Sequence, residues 1–541
     1  MSLKPFLKKR VLIVDQLENY SFAIKKMLLD TGMKLVTTAN SAQSVISGLQ
    51  NVDYDVILCN YDLGEGNKNG QELLEELREK KLLKFSALFF ILTAEVAKDR
   101  VLGTIETEPD GYLVKPITPA DLEKRLTALL TQKQALAGID QAIDQGHFEE
   151  AVNLCNERLQ SEPRYAQLLQ KTRAWLCTQL QRWDEARQVY EQVIEQHQAP
   201  WARLGFARLL VQQEQLDLAV LQLDALLAQD PNCIEAYDEL ARIRSLQGDA
   251  SAARQLLEKA AAQSPHNLLR QKALADARLQ TQDTEGALEA YRKVIKLSPQ
   301  SIYARPEHYF SFANALGKQD GGVKGKLSKE AMEVLAKSRK RFADQPQIDL
   351  QSSLVEAQVQ HHLGNEAAAQ ALFTEVENKA SLRKEPLRAE TAVIAAETLI
   401  SLGRAEEVEA FLQHSADAAA SAGQEVGAVF GYLNNSVSLQ KRQQATELNR
   451  QAIKLHGSGD LDAALASMRL ALPLTPYHVS LNLNFLQILL QKIRLQPGSV
   501  ALIQEAQSCL ERVRHVSDTH REARRLNHLR KQIDALSSAS G

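Results

Sequence analysis

Four polar side chains with chemically useful groups follow short apolar runs in the N-terminal part of the chain. They are the carboxylate of Asp15, the amide of Asn60, the hydroxyl of Thr93 and the ammonium of Lys115. A carboxylate can act as a nucleophile or hold a hard cation, whereas an amide nitrogen is a poor nucleophile. One such residue is weak evidence, because turns favour Asp and Asn, but four in this order indicate a site. The residue at position 60 therefore decides which chemistry is open to that site.

The elements around these residues alternate in the rhythm of a parallel sheet flanked by helices. Residues 56–59 are all apolar, as in a strand that is buried on both faces. Because parallel strands end at the same edge of a sheet, the four side chains are expected to meet there. The pattern predicts a flavodoxin-like α/β fold with strands at 10–14, 34–38, 56–60, 87–92 and 111–114, and helices at 18–30, 41–49, 70–80, 96–107 and 119–136.

The set of residues at these strand ends resembles a two-component response-regulator receiver domain. The resemblance is carried by Leu-Thr-Ala-Glu95, Gly-Tyr-Leu-Val-Lys-Pro116 and the acid at the end of the first strand. It implies that Thr93 and Lys115 hold phosphoryl oxygens, that Tyr112 is the switch aromatic, and that position 60 is the phosphoryl acceptor. It also implies a cis Lys115–Pro116 peptide bond.

Two departures from the receiver pattern argue against phosphoryl transfer. Gln16 replaces the second acid of the expected pair, and Asn60 replaces the acceptor aspartate. A magnesium site built from Asp15, Asn60 and Asp62 is then expected to be weak or absent, because a hard cation prefers carboxylate oxygen. Asp62 is the alternative acceptor, and a long glycine-rich loop at residues 63–70 follows it.

Beyond residue 137 one pattern repeats with a period near 34 residues. One set of small residues marks it, a second small residue stands twelve positions earlier in most units, and prolines close several units. The first set is Ala151, Ala186, Ala219, Ala253 and Ala287; the second is Ala174, Ala207, Ala241 and Ala275; the prolines are Pro163, Pro231, Pro265 and Pro299.

This pattern resembles tetratricopeptide repeats (TPR), which are helix-turn-helix units that stack into an all-α superhelix. We predict a receiver-like domain at 1–136 and a repeat domain at 138–541 with about nine or ten repeats. An irregular, basic insert is expected near 317–327, and a C-terminal capping helix at 518–536. The resemblance implies that a protein or peptide binds in the concave groove.

Composition and charge exclude several other classes of protein. The formal net charge is -3, so the chain offers no overall footprint for nucleic acid or an anionic membrane. No apolar run is long enough to span a membrane, and the five scattered cysteines suggest neither disulfides nor a zinc site. No catalytic motif occurs, so we expect a cytoplasmic protein that is not an enzyme.

These features favour a non-enzymatic signalling adaptor with a phosphorylation-independent receiver, whose receiver face could also form a homodimer. The first alternative is a response regulator that is phosphorylated at Asp62 and uses the repeats as its output. The second is a peptide sensor that antagonises a phosphorelay. That alternative requires clustered amides in a groove, for which the candidates are Asn434, Asn435, Asn482 and Asn484.

Overall fold

The computed structural model describes most of the chain. The described residues are 6–64, 66–94, 109–319, 324–383, 386–422, 424, 426–435, 439–496, 499–513, 516 and 522–539. The helix predicted at 96–107 lies outside them. Within the described part, no helix combines the length and apolarity needed to cross a membrane.

A five-stranded parallel sheet forms the centre of the N-terminal region. Its strands are β1 (Arg10–Val14), β2 (Leu35–Ala39), β3 (Val56–Asn60), β4 (Leu88–Thr93) and β5 (Gly111–Val114), in the spatial order β2-β1-β3-β4-β5. All five residues of β3 are buried, because β3 lies between two strands and both faces of the sheet are covered. The order of strands confirms the predicted flavodoxin-like fold, and each strand begins and ends within a residue of its prediction.

Helices α1 (Glu18–Asp30), α2 (Ala42–Leu49), α3 (Gly70–Glu79) and α4 (Pro119–Ala135) flank the sheet. Two of them begin with strong local signals. Asn69 and Glu72 form a reciprocal capping box at the start of α3, and the Thr118 side chain caps α4, which has a proline at its first position. These caps fix where the chain leaves the loop that follows β3 and the loop that follows β5.

The rest of the described chain is helical, as predicted from the repeats. The helices are α5 (Ala137–Asp144), α6 (Phe148–Ser161), α7 (Ala166–Gln179), α8 (Trp183–His197), α9 (Pro200–Gln212), α10 (Leu216–Gln229), α11 (Ile234–Leu246), α12 (Ala250–Gln263), α13 (Leu268–Gln280), α14 (Thr284–Leu297), α15 (Pro306–Gly317), α16 (Lys324–Arg341), α17 (Ile348–His362), α18 (Glu366–Arg383), α19 (Ala389–Ser401), α20 (Val408–Ser421), α21 (Gly427–Asn435), α22 (Leu439–Gly457), α23 (Leu461–Ala471), α24 (Val479–Leu495), α25 (Val500–Arg512) and α26 (Ala523–Ala539).

The small residues of the repeat pattern, together with the large side chains that pack against them, form the helix interfaces. Both alanine sets are buried, with exposures of 0% or 1%, so neighbouring helices approach closely there. Tyr291 fills a large position at 1% exposure, and its hydroxyl donates to Asp276 Oδ1 at 2.7 Å. Glycines with positive φ make the turn within several helix pairs, at Gly146, Gly248, Gly364, Gly403 and Gly459.

The chain forms two compact units that differ from the predicted pair of modules. The first is Met1–His308 and the second is Tyr309–Gly541. The first unit joins the sheet domain to five consecutive helix pairs, α5 to α14, a stretch that is described without gaps. Between α4 and α5 there is a single residue, Leu136, whose backbone nitrogen donates to Gln132 O at 3.1 Å.

The second unit departs from the predicted pattern in two places. Helix α16 begins at Lys324, inside the insert predicted at 317–327, and residues 320–323 lie outside the described chain. The nine-residue helix α21 (Gly427–Asn435) is shorter than the neighbouring helices and lies between α20 and α22. Buried amides link successive pairs, since Gln351 Nε2 donates to Thr391 Oγ1 at 3.1 Å and Gln358 Nε2 to Thr398 Oγ1 at 2.8 Å.

Candidate functional site

The carboxyl edge of the sheet brings together Asp15, Asn60 and Lys115, as the sequence predicted. Asp15 follows β1 and is 1% exposed. Its Oδ1 accepts a hydrogen bond from the backbone nitrogen of Leu17 at 2.9 Å, and its Oδ2 lies 3.2 Å from Lys115 Nζ. A buried carboxylate requires such partners, because burial without them is costly. The lysine therefore balances the charge of Asp15.

Asn60 ends β3 and joins the same network from the other side. It is 8% exposed, and its Oδ1 accepts from Lys115 Nζ at 3.1 Å. Its Nδ2 donates to the backbone oxygen of Asp62 at 2.8 Å. The amide thus supplies both an acceptor for the lysine and a donor for the carbonyl. A carboxylate could supply only the acceptor.

Lys115 has a third partner in the ring of Tyr20, whose centroid lies 3.8 Å from Nζ. Burial and the nearby Asp15 carboxylate both raise the pKa of the Tyr20 phenol. The lysine is therefore held by a carboxylate, an amide oxygen and an aromatic face. No motif in the sequence indicates that Tyr20, on α1, contributes to this site.

Thr93 and Tyr112, the two remaining residues of the predicted site, lie on neighbouring strands at the same edge. Thr93 ends β4, and its backbone oxygen accepts from the backbone nitrogen of Lys115 at 2.8 Å. Tyr112 is half-buried against the core beneath the sheet, and its carbonyl accepts from Arg125 Nη1 at 2.6 Å. The Lys115–Pro116 peptide is cis, as the resemblance implied.

Asp62 occupies a different environment from Asn60. It is exposed, and its Oδ1 accepts from the backbone nitrogen of Gly64 at 2.9 Å, which closes a local turn in the loop. Gly64 has a φ of +103°, and a Cβ there would lie 2.4 Å from Gln16 Oε1. The Gln16 side chain therefore lies over the loop, and the positive φ at position 64 favours glycine there.

The residues at this edge do not match the needs of a magnesium site. Among the described residues, no group of three or more His, Cys, Asp and Glu side chains could hold a metal ion. Asp15 is the one carboxylate in the network, and it is paired with Lys115. The Asp62 carbonyl accepts a hydrogen bond from the Asn60 amide. Mg²⁺ favours carboxylate oxygen with free lone pairs, so the donor set fits it poorly.

The face of α3 that points away from the sheet carries a second polar cluster, which the sequence did not reveal. Lys68 Nζ lies 3.1 Å from Glu76 Oε2, and Glu76 Oε1 lies 2.6 Å from Lys80 Nζ. Glu72 and Glu75 are half-buried, although they point away from the sheet. Burial raises the pKa of Glu75 to about 7, and the neighbouring Glu72 carboxylate adds to the effect.

Glu75→Gln is expected to stabilise the protein near neutral pH. A carboxyl whose pKa is raised in the folded state contributes stability below its unfolded value near 4.5, and this stability is lost as the pH rises towards 7. The variant should therefore match the parent at pH 4 and exceed its unfolding free energy by about 1–2 kcal/mol at pH 8. Denaturant melts at both pH values test this, with exposed Glu79→Gln as the control. A gain that does not change with pH would contradict the assignment.

The asparagines proposed for a peptide groove lie in different environments. Asn482 is fully buried and bonds to the backbone oxygens of Pro476 and His478, so it stabilises a helix start. The Asn484 side chain accepts a hydrogen bond from Arg525 Nη2 at 2.7 Å and donates one to Asn449 Oδ1 at 3.0 Å. These contacts connect polar side chains of three helices in a row. The side chains of Asn434 and Asn435 lie outside the described residues.

Comparison with known families agrees with this architecture. The model of the response regulator receiver domain matches residues 11–127. Two tetratricopeptide repeat models match residues 171–232 and 204–267, and residues 246–305. The chain therefore carries a receiver domain at residues 11–127 and TPR repeats within residues 171–305.

The relatives found by sequence match the receiver. Chemotaxis protein CheY-3 of Vibrio cholerae is 26% identical over 117 residues, which cover 22% of this chain and 88% of that protein. Chemotaxis protein CheY of Pseudomonas aeruginosa is 25% identical over 117 residues, covering 22% and 92%. Among solved structures, YrrB, described as a TPR protein with an unusual peptide-binding site, is 16% identical with a TM-score of 0.30, covering 35% of this chain and 91% of that one.

A receiver joined to TPR repeats defines the class of the molecule. It is a signal-transduction protein with a protein-binding scaffold. Its receiver carries amides at positions 16 and 60, and Asn60 is a member of the hydrogen-bond network with Lys115.

Proposed function

We propose that this protein is a non-enzymatic signalling adaptor whose receiver works without phosphorylation and whose repeats bind a protein or peptide partner. The hydrogen-bond network at Asn60 carries the proposal. One amide group satisfies Lys115 and the carbonyl of Asp62 together, at 3.1 Å and 2.8 Å. The Asn60 side chain therefore has partners for both its acceptor and its donor group without an acyl phosphate, which supports the proposal.

The test is incubation of the full chain with Mg²⁺ and acetyl phosphate, followed by intact mass measurement. The parent protein should gain no phosphate, because the amide at position 60 cannot form an acyl phosphate. The Asn60→Ala and Asp62→Ala variants should behave in the same way. A phosphate that appears on the parent and disappears in Asp62→Ala alone would overturn the proposal and establish the response regulator that uses Asp62.

The observed contacts of Asp62 favour the adaptor over that alternative. Its carboxylate caps the Gly64 nitrogen in the loop, whereas the lysine that would neutralise a phosphoryl group bonds to Asp15 and Asn60. An acceptor needs its cationic partner within hydrogen-bond reach. Phosphorylation at Asp62 would therefore require the loop to rearrange.

The partner of the repeats is proposed to be a polypeptide bound to a concave face. The row formed by Asn449, Asn484 and Arg525 offers amide and guanidinium groups on the alternate helices α22, α24 and α26. The remaining proposal concerns self-association through the Tyr112 face of the receiver. Light scattering of the full chain would test it, with Arg125→Ala as the variant, because Arg125 holds the Tyr112 carbonyl at 2.6 Å.

A further inference from the structure

The receiver contacts the repeats at two places that lie far apart in the chain, and the first is beside the α4–α5 junction. Asp144, at the end of α5, accepts hydrogen bonds from the backbone nitrogens of Phe85 and Ser86, at 2.5 Å and 3.2 Å, and from Ser86 Oγ at 2.6 Å. The Phe85 ring stacks on Trp175 of α7 with centroids 6.0 Å apart. The loop before β4 is thus held by the first two helix pairs.

The second contact joins the loop that follows Asn60 to the end of the fifth helix pair. Gln300 Nε2 donates to the backbone oxygen of Gly66 at 2.5 Å, and Lys68 Nζ donates to the backbone oxygen of Gln300 at 2.5 Å. Each chain segment therefore supplies one side chain to the backbone of the other. Residue 300 is 232 positions from Lys68, so the array must curve back towards the receiver.

Helix α3 lies between these two contacts in the receiver. Lys68 stands just before its first turn, and Arg78 is in its last turn. Burial lowers the pKa of Arg78, while the carboxylates of Asp110 and Asp144 act in the opposite direction, which places the end of α3 near the array residue Asp144.

The outer face of α3 shows burial that the sheet cannot provide. Leu73, Leu74 and Leu77 face the core, so helical geometry directs Glu72, Glu75 and Glu79 to the opposite side. The first two of these acids are half-buried and Glu79 is exposed. Something other than the receiver core covers the first two turns.

We propose that the first five helix pairs bind the outer face of α3 and the loop residues 66–69 as an internal ligand. The occupant is a segment of this chain, and the contacts at Asp144 and Gln300 hold its two ends. A partner that binds α3 must therefore displace the array, and a partner that displaces the array frees the loop beside Asn60.

Cysteine labelling in the full chain tests this interface. Glu75→Cys should react with iodoacetamide about tenfold more slowly than the matched control Glu79→Cys, because a thiol beneath the array reacts only when the interface opens. Peptide mass spectrometry separates both sites from the native cysteines. Adding Asp144→Ala and Gln300→Ala, which alter only the array, should raise the rate at position 75 about fivefold and leave position 79 unchanged.

Hydrogen exchange on the Asp144→Ala/Gln300→Ala variant, without introduced cysteines, supplies the second measurement. Faster exchange at residues 66–80, and at Phe85 and Ser86, whose amides lose their Asp144 acceptor, supports the interface if β1 and β3 keep their exchange rates. These two strands lie in the receiver core and do not contact Asp144 or Gln300 in the described hydrogen bonds. Exchange that is unchanged at 66–80, or that rises equally across the strands, would overturn the proposal. Equal alkylation rates at positions 75 and 79 would do the same.

Discussion

The Gln16→Asp/Asn60→Asp double variant is expected to lose stability without Mg²⁺ and to recover it when Mg²⁺ is added, whereas the parent protein shows no response. At neutral pH and without the ion, the loss should be about 2–4 kcal/mol. Magnesium at about 10 mM should return about 1–3 kcal/mol if its dissociation constant lies between about 0.1 and 1 mM.

The loss has two physical causes at position 60. A carboxylate there would sit beside buried Asp15 with Lys115 as their shared cation, because Lys115 Nζ lies 3.2 Å from Asp15 and 3.1 Å from Asn60. The oxygen that replaces Nδ2 would also face the Asp62 carbonyl across the present 2.8 Å contact, so two acceptors would meet. Both repulsions become attractions once a divalent cation lies between them.

Thermal melts with and without Mg²⁺ measure this effect, and acetyl phosphate adds a chemical readout. Phosphate should appear on residue 60 of the double variant. Asp62→Asn serves as the matched control, because Asp62 is exposed and its carboxylate contacts only the loop. If Mg²⁺ stabilised the parent protein as strongly as the double variant, the result would refute the view that the Asn60 amide removes the need for Mg²⁺ at this site.

Arg270→Met is expected to destabilise the repeats of the first unit by about 3 kcal/mol. Arg270 lies on α13 and is 5% exposed. Its Nε and Nη2 donate to the two carboxylate oxygens of Asp238 on α11, at 2.9 Å and 2.7 Å, and its Nη1 donates to the Ser264 carbonyl at 2.9 Å. Methionine keeps the apolar stem and removes every donor, which leaves the carboxylate and the carbonyl without their partner.

Differential scanning calorimetry should show the first transition lowered by about 6–10 °C. Lys293→Ala is the control, because it removes an i,i+4 pair with Glu289 whose side chains are 49% and 64% exposed. That change should cost less than about 0.5 kcal/mol. If both variants had the same melting temperature, the Arg270–Asp238 ion pair would contribute no more to stability than an ion pair on the surface.

The regular elements could be predicted because each has a local signal. The apolar run of β3, the caps of α3 and α4 and the alanine period each involve residues that are close in sequence. The same holds for the strand-end positions of Asp15, Asn60, Thr93 and Lys115, since the strand order alone brings them together. The role of the Asn60 amide depends on its two hydrogen-bond partners, Lys115 and the Asp62 carbonyl. Only the folded structure shows these two contacts.

The contacts that sequence reasoning missed connect residues with no common local pattern. Gln300 follows a predicted repeat boundary and carries no motif, yet it bonds to Gly66. In the sequence, Tyr20 has no feature that distinguishes it from other helix residues. In the structure, the Lys115 ammonium lies over its ring. The sequence around Gly64 is typical of a flexible loop, but in the structure the Gln16 side chain lies where a Cβ at position 64 would be. The Gln300 contact depends on how the array curves, which the period of the repeats does not determine, and the other two depend on how separate elements of the receiver pack.

The single residue between α4 and α5 limits how this protein can be divided. The receiver match ends at residue 127, which lies inside α4, so a fragment cut at the family boundary would split a helix. A cut at Leu136 would separate Lys133 from Asp140 and open the core that contains Leu136 and Ile139. Deletion or domain-exchange experiments should therefore preserve the whole of residues 119–144. An exchanged receiver would fit only if its own last helix continued in register into the first repeat.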